Sequence, residues 1–464
     1  MLENIIYWLK KKKWLVFTFF LSLVLYFLPT PDGLEISGYR VIIIVILFIL
    51  LILFEPIPLP ATAMLIIVLQ VLFGIGSPNE VASSFMSDSV FFIMGSLMLA
   101  TAIISQGLDS RLALGIINIT GHKTWNISFG FILFCALLSS FIGEHTVTAM
   151  MMPVGLTLIR NTMLDGDENK KLSALLLFSI AYGSAIGSIG TPSGGGRNVI
   201  MIGYLEQFGV AEITYLTWMK YAYPILLIQI PITALILWRT FFPEKLILDS
   251  AVRKLKIQVA HSGKLSIQQI LSIFIFILIF FGWVFFSSIL GLGMISLIGV
   301  IIYLSFGLIE WREINKNTNW GVIMLFGAAI SVGVQMKQTG AALWIANNFI
   351  NFVDNIFANA QFSHSVITII ITSSLTNILS NAATIAVLGP IVINISGDSI
   401  LLPMITALSS AFGFLTIVAS PSYMIIYSSG LLQSSDFIRG GWKMMFTSIV
   451  LLLLFSSLVW PLFF

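Results

Sequence analysis

The sequence predicts an all-α polytopic membrane protein, built from two repeats with re-entrant hairpins and broken helices. Three observations predict it: an apolar excess, a series of apolar runs of helix length, and polar interruptions at matching places in the two halves. Hydrophobic residues make up 58% of the 464 positions and charged residues 9%, with a mean hydropathy of +1.01. A soluble domain carries about a quarter charged residues. So few charges cannot cover a surface in water, so the apolar surplus requires lipid as solvent.

A spanning helix needs about 20 apolar residues. Candidate runs are 14–28, 39–54, 61–75, 90–105, 125–142, 172–190, 217–241, 266–286, 290–309, 320–336, 363–379, 401–418 and 441–462. Several are short or contain Gly and Pro, so some are expected to be half-helices or hairpin arms. Lys10–Lys13 precede the first run, and Lys245, Arg253, Lys254, Lys256 and Lys264 mark a polar stretch at 244–265. Basic flanks stay on the cytoplasmic side. The N-terminus and the 244–265 linker are therefore placed inside the cell, in a multi-pass chain of the cytoplasmic membrane. Trp14–Leu28 is long for a signal peptide, and Pro29-Thr30-Pro31-Asp32-Gly33 follows it in place of a small-residue cleavage site. An uncleaved first helix is expected. Trp8, Trp14, Trp442 and Trp460 lie near segment ends and read as interface anchors.

One cysteine, Cys135, excludes an intrachain disulfide or a cysteine metal cluster. The four histidines are scattered, so no metal is expected beyond sodium. No cofactor and no nucleic-acid partner is expected.

The linker divides the chain into halves that look alike. Gly143-Glu144-His145-Thr146-Val147-Thr148-Ala149-Met150-Met151-Met152-Pro153 has the length of Ser380-Asn381-Ala382-Ala383-Thr384-Ile385-Ala386-Val387-Leu388-Gly389-Pro390. Each stretch ends in Pro, follows an apolar run, and has a hydroxyl residue four positions upstream, Ser139 or Thr376. A second pair matches as well. Phe92-Ile93-Met94-Gly95 leads to Gln106-Gly107, and Ile323-Met324-Leu325-Phe326-Gly327 leads to Thr339-Gly340. A Gly/Ser/Pro-rich break then follows in each half, at Gly190–Asn198 and at Val418–Tyr423.

Unpaired backbone inside a bilayer costs several kcal/mol per group, so such breaks survive only where protein or a water-filled cavity covers them. Inverted-repeat transporters aim broken helix ends at solutes near the midplane. Helix N-termini favour anions, and unwound carbonyls favour cations. Two hairpin tips facing two breaks would give both kinds of site together: an inverted-repeat ion-transporter fold.

The segment Phe54-Glu55-Pro56-Ile57-Pro58-Leu59-Pro60-Ala61-Thr62-Ala63 resembles the Glu-Ala-(Ile/Leu)-Pro-Leu signature of the divalent anion:sodium symporter family. Leu72–Ala113, with Gly107-Leu108-Asp109-Ser110-Arg111, and the tips and breaks are similar to that family too. The resemblance implies a homodimer in which a scaffold domain holds a transport domain that moves like an elevator. On this reading residues 1–243 form the first half, with scaffold helices at about 14–120 and transport elements at about 125–240. Residues 266–464 form the second, with scaffold helices at about 266–350 and transport elements at about 360–464. In the family, Ser-Asn-Thr tips and Thr/Ser-Pro-Pro-Asn-like turns bind sodium and the anionic substrate. Here the first tip reads Gly143-Glu144-His145, the second Ser380-Asn381-Ala382, and the turns Gly195-Gly196-Arg197-Asn198 and Ser420-Pro421-Ser422-Tyr423.

Carried onto these positions, the resemblance implies substrate contacts from Glu144, His145, Gly195, Arg197, Asn381, Ala382, Ser420 and Pro421. It implies cation contacts from Ser139, Gly143, Glu144 and Gly194 in the first half, and from Thr376, Asn381 and Ala419 in the second. The residue chemistry agrees in kind. An acid at membrane depth is a functional candidate. Glu144 could ligate sodium, since hard cations take oxygen ligands. It could carry a proton instead, since loss of water favours the neutral acid. It could also simply pair with Arg197 and hold two broken elements together. His145 could hydrogen-bond substrate or only the tip. The Arg197 guanidinium suits bidentate recognition of a carboxylate or oxyanion. Its three preceding glycines lack the Gly-Lys-Ser/Thr of a phosphate loop, which argues against nucleotide binding. Thr376, Asn381 and the Ala419 carbonyl could hold sodium with neutral oxygens, or make ordinary interhelical bonds. Glu55, beside prolines at a helix end, reads as scaffold.

The function implied is cation-coupled import of a small anion: a dicarboxylate, sulfate or related oxyanion. Sodium and proton both remain open as the coupling ion. A cation-coupled exporter of the arsenite-permease or sodium/proton-antiporter type shares the broken-repeat pattern, and a channel is a third reading. An intramembrane enzyme would need a dyad or metal cluster that the sequence does not display.

Overall fold

The computed structural model describes residues 13–107, 115, 118–163, 170–260, 265–354 and 360–462, and the elements of these residues are helices. The first half contains α1 (Lys13–Phe27), α2 (Ile36–Phe54), α3 (Leu59–Leu72), the short α4 (Pro78–Phe85) and α5 (Asp88–Ser105). It continues with α6 (Thr124–Ile142), α7 (Glu144–Met163), α8 (Lys170–Gly187), α9 (Gly196–Gln207) and α10 (Tyr215–Thr240). Within the linker lies α11 (Asp249–Ala260). The second half repeats the order with α12 (Ile267–Leu290), α13 (Leu292–Ser305), the short α14 (Trp311–Asn317), α15 (Trp320–Gln338) and α16 (Ala341–Asp354). It ends with α17 (Ala360–Leu375), α18 (Asn381–Ser396), α19 (Leu401–Ser409), α20 (Pro421–Tyr427) and α21 (Ser434–Leu454). The counterpart of α16 would fall near Leu108–Arg111, which lies outside the described residues.

Among the described residues, seven helices are long and apolar enough to cross a membrane, α2, α5, α6, α10, α12, α15 and α21. Most of the others are shorter segments, as expected of half-spans and hairpin arms, while α7 (20 residues) and α8 (18 residues) have that length without being among the seven. Two helix pairs turn on one residue each, Gly143 (φ 86°) between α6 and α7 and Gly291 (φ 79°) between α12 and α13. Only glycine adopts these angles without steric cost. The short α4 is fixed by a local cap. Ser77 accepts from the Glu80 amide while Glu80 accepts from the Ser77 amide, at 3.3 and 2.8 Å, closing a capping box at α4.

Packing between halves is reciprocal. Helix α5 packs on α13 while α3 packs on α15; α9 packs on α18 while α20 packs on α7. Such exchanged contacts are what two repeats related by a two-fold pseudo-axis produce. Close approach depends on small residues. A Cβ on Gly187 would stand 2.1 Å from Ala136 O and 2.2 Å from Ser139 Oγ, so α8 lies directly on α6. The Tyr204 ring of α9 fills the notch left by Gly333 and Gly389, and its hydroxyl lies 2.8 Å from Ala329 O on α15 and 3.1 Å from Ala386 O on α18.

One expectation needs correction. The run 401–418 does not form one continuous span: α19 stops at Ser409 and the chain unwinds as far as Ser420. Side chains replace the lost helical partners there. Tyr182 OH donates to Phe414 O at 3.2 Å, and Asn377 Oδ1 accepts from the Leu415 amide at 2.8 Å. Within the 244–265 linker, residues near its start pair with the first half. Thr124 N donates to Leu246 O and Leu248 N to His122 O, both at 2.9 Å, stitching the linker to the entry of α6.

Gly187→Ala is expected to force α6 and α8 apart and to destabilise the protein by about 1–3 kcal/mol. A lower Tm of the detergent-purified variant in a fluorescence unfolding assay checks this; an unchanged Tm would contradict the packing described.

Candidate functional site

Each hairpin tip is made by an apolar arm that ends on a polar residue starting the next helix. Glu144 opens α7 directly after Gly143, and Asn381 opens α18 after its N-cap Ser380, whose hydroxyl accepts from Ala383 N at 3.4 Å. The hydroxyl four residues upstream of each tip donates to a carbonyl of the broken element in its own half. Ser139 Oγ reaches Ser184 O at 2.8 Å and Thr376 Oγ1 reaches Ser410 O at 2.7 Å.

The breaks are held open by side chains that satisfy freed carbonyls. In the first, Asn198 Nδ2 donates to both Ser188 O and Thr191 O at 2.8 Å, Trp218 Nε1 donates to Ile189 O at 2.9 Å, and the Thr191 hydroxyl donates to Ser140 O. An apolar surrounding makes each such bond obligatory.

The two tips meet. Glu144, 7% exposed, has one carboxylate oxygen on each half. Its Oε1 accepts from Ser420 Oγ at 2.9 Å and lies 3.4 Å from the Asn381 amide group. Its Oε2 accepts from Ser188 Oγ at 3.1 Å and faces Arg197 Nη1 at 4.0 Å. Arg197 is 2% exposed. Its Nη2 donates to Ser188 Oγ at 2.6 Å, and its Nε has no hydrogen-bond partner among the described residues. Gly195 lets the guanidinium lie close, since a Cβ there would stand 3.2 Å from Nη1. Most of the fork's donors are therefore unspent.

Asn381 faces a cluster of oxygens. Its outer amide atom lies 2.7 Å from Thr376 Oγ1 and 3.0 Å from both Ser410 O and Ala419 O. This group is uncharged and drawn from a hairpin arm, a tip and an unwound segment, all in the second half.

One cavity of about 570 Å³ runs between the tips and breaks. It is lined by Gly143, Glu144, His145, Gly194, Gly195, Arg197, Asn381, Ala382 and Pro421, with Glu55, Phe326 and Val418 among its other walls. Ser420 touches it through Glu144, and Thr376 and Ala419 through Asn381. Ser139 stands apart. Its hydroxyl is turned to α8, and Gly194 packs against the Ser139, Ser140 and Ser188 carbonyls, with a Cβ position 2.7–3.1 Å from them. The first tip differs from the second in its side chain: the Glu144 carboxylate faces Ser188, Arg197 and Ser420.

Residues 9–464 match the family described as the sodium:sulfate symporter transmembrane region. The chain belongs to this family. It is the divalent anion:sodium symporter group that the Glu55 segment resembles, a family of membrane transporters and not of enzymes. Similar proteins include a sodium-dependent high-affinity dicarboxylate transporter of Caenorhabditis elegans, 27% identical over 87% of this chain and 80% of that one. The sodium-dependent dicarboxylate transporter SdcS of Staphylococcus saprophyticus is 26% identical over 96% of this chain and 90% of its own. An uncharacterized transporter of Haemophilus influenzae is 27% identical over 88% of each chain. Among solved structures, Neisseria gonorrhoeae MtrF shares the fold, with a TM-score of 0.54 at 13% identity over 83% of this chain and 84% of MtrF.

Ser188 and the Ser410 carbonyl escaped the sequence reading. Ser188 sits in Gly187-Ser188-Ile189-Gly190, inside what reads as the end of an apolar helix. Only its position one helical stop before the glycine-rich break could have marked it. The Ser410 carbonyl has no side-chain signal at all.

Asn198→Ala removes donors to two unwound carbonyls and is expected to destabilise the fold by about 1–3 kcal/mol for each carbonyl left unpaired. Thermal unfolding with and without saturating sodium reads it out; wild-type stability would show that the break is held by other contacts.

Proposed function

We propose that the protein is a secondary active transporter that imports a small dianion, a dicarboxylate or a related oxyanion such as sulfate, coupled to sodium. What carries this reading is one juxtaposition: a buried guanidinium with unspent donors and an uncharged oxygen cluster, opposed across one cavity between two hairpin tips. Arg197 supplies planar donors for a carboxylate or sulfate oxygen pair. His145 and the Ala382 and Gly195 backbone complete the cavity wall around it. Thr376, Asn381, Ser410 and Ala419 offer hydroxyl, amide and carbonyl oxygens, the ligand type that hard cations take. The relatives' names, sodium-dependent dicarboxylate transporters, favour sodium and a dicarboxylate.

Coupling follows from electrostatics. Glu144 offsets the Arg197 charge, so the empty cavity has little net field to hold a dianion. A cation bound beside Asn381 adds positive charge next to the anion in a low-dielectric interior, where attraction is strong. The doubly loaded carrier is then less costly to move than either half-loaded form, and downhill sodium drives uphill anion. The reading includes an elevator-type displacement of the tips and breaks against a scaffold, a homodimer in the cytoplasmic membrane, and a cytoplasmic N-terminus.

Uptake of labelled succinate into proteoliposomes under an inward sodium gradient tests the proposal. Arg197→Ala, checked for folding by its size-exclusion profile, is expected to abolish uptake. Thr376→Val is expected to raise the sodium concentration for half-maximal uptake on the order of tenfold, the equivalent of about 1.4 kcal/mol. Normal uptake by Arg197→Ala, or an unchanged sodium profile in Thr376→Val, would remove that residue from the site.

A further inference from the structure

We propose that Glu55 makes dianion binding unequal on the two faces of the membrane. Its carboxylate opposes a dianion in the cavity at the N-terminal face and stays behind when the cavity moves to the other. The inference rests on the transporter and the sliding motion proposed above, and adds how the two ends of that motion differ. Besides His145, three acidic or basic side chains line the cavity: Glu55, Glu144 and Arg197. Glu144 and Arg197 face each other at 4.0 Å and offset one another. Glu55 is exposed, and no described residue forms an ion pair with it. The charge left over on the cavity wall is therefore negative, the wrong sign for holding an anion.

The backbone sets this carboxylate in place. Among the described residues Glu55 is the one non-glycine residue with a positive φ, at φ 41° and ψ 45°. Its amide donates to Leu51 O at 3.1 Å and closes α2 in a left-handed turn, where glycine is the usual choice. A side chain with a Cβ is disfavoured there, and such outliers gather at functional sites. Pro56-Ile57-Pro58 then carries the chain into α3. Trp14, at the start of α1, stacks on Phe54 with ring centroids 3.9 Å apart and planes 6° from parallel. Glu55 therefore lies on the membrane face that holds the start of α1.

Glu55 and the Glu144–Arg197 pair sit on different parts of the molecule. Glu55 ends α2, which packs on α1, α3 and α15, whereas Glu144 and Arg197 lie at the starts of α7 and α9. When the tips and breaks travel, Arg197 goes with the anion and Glu55 does not. At the N-terminal face the dianion meets Arg197 on one wall and an uncompensated carboxylate on another. At the opposite face it meets Arg197 alone. Repulsion between like charges weakens binding at the first face only, to a moderate extent because an exposed carboxylate is partly screened. The carrier then gives up its anion more readily on the side where Glu55 stands.

Intact cells and inverted membrane vesicles of a bacterial host lacking dicarboxylate carriers present opposite faces to labelled succinate, and protease access to an N-terminal tag identifies each face. Under an inward sodium gradient, Glu55→Gln is expected to lower the half-saturating succinate concentration at the N-terminal face on the order of tenfold, and to leave it within about twofold at the other. Glu55→Asp keeps the charge and is expected to keep the wild-type values. Glu55→Gly removes the charge and suits the left-handed turn. It is expected to match Glu55→Gln, and it stands in for that variant if the glutamine form folds poorly. Equal falls at both faces, or none at either, overturn the inference while the transporter stands. An aspartate variant that behaves like the glutamine one overturns it too. If the wild type shows no sodium-dependent succinate uptake at either face, the proposed function fails, and the inference with it.

Discussion

A carboxylate in an apolar interior has to be held by donors or it will not stay there, and this requirement at Glu144 organises the centre of the molecule. Its two oxygens are served by Ser188 and Arg197 from one repeat and by Ser420 from the other, with the Asn381 amide group 3.4 Å away. No single repeat could satisfy it. The halves are therefore joined through a polar contact at their core as well as by helix packing. Breaking such a pair on one side leaves a buried charge without compensation, which is far more costly than never having had the pair.

The same logic governs the breaks on either side. Chain that leaves the helix within an apolar environment must find partners for its carbonyls, and here they come from long-range side chains: Asn198, Trp218, Tyr182 and Asn377. In the second break the Ser410 and Ala419 carbonyls are instead directed at the Asn381 amide, and Ser410 O also accepts from Thr376 Oγ1.

Much of the fold was legible in the sequence. Apolar runs, the Pro-terminated tips and the Gly/Ser/Pro breaks mark the two repeats, because period, length and backbone permissiveness are local properties. Glu144, Arg197 and Asn381 were legible for the opposite reason: they are polar where little else is. The spacing implied a symmetry between the halves that the side chains at the two tips keep only in part. Ser139 matches Thr376 in position, yet a carboxylate at 144 prefers a guanidinium and a serine hydroxyl to the neutral cluster that an amide joins at 381. The end of α19 was misjudged because Ser410–Val418 is apolar enough to pass for helix. Its unwinding depends on Tyr182 and Asn377, which lie far away in sequence.

Tyr204 has one proton and two waiting carbonyls. Those carbonyls, on Ala329 and Ala386, belong to α15 and α18, helices on opposite sides of the proposed sliding boundary. The phenol is wedged by its ring into a groove that a methyl group at either Gly333 or Gly389 would close. Any travel of one helix past the other must carry that ring with one wall and strip it from the other. In the elevator movement proposed above, the phenol would act as a latch, keeping one carbonyl as it gives up the other.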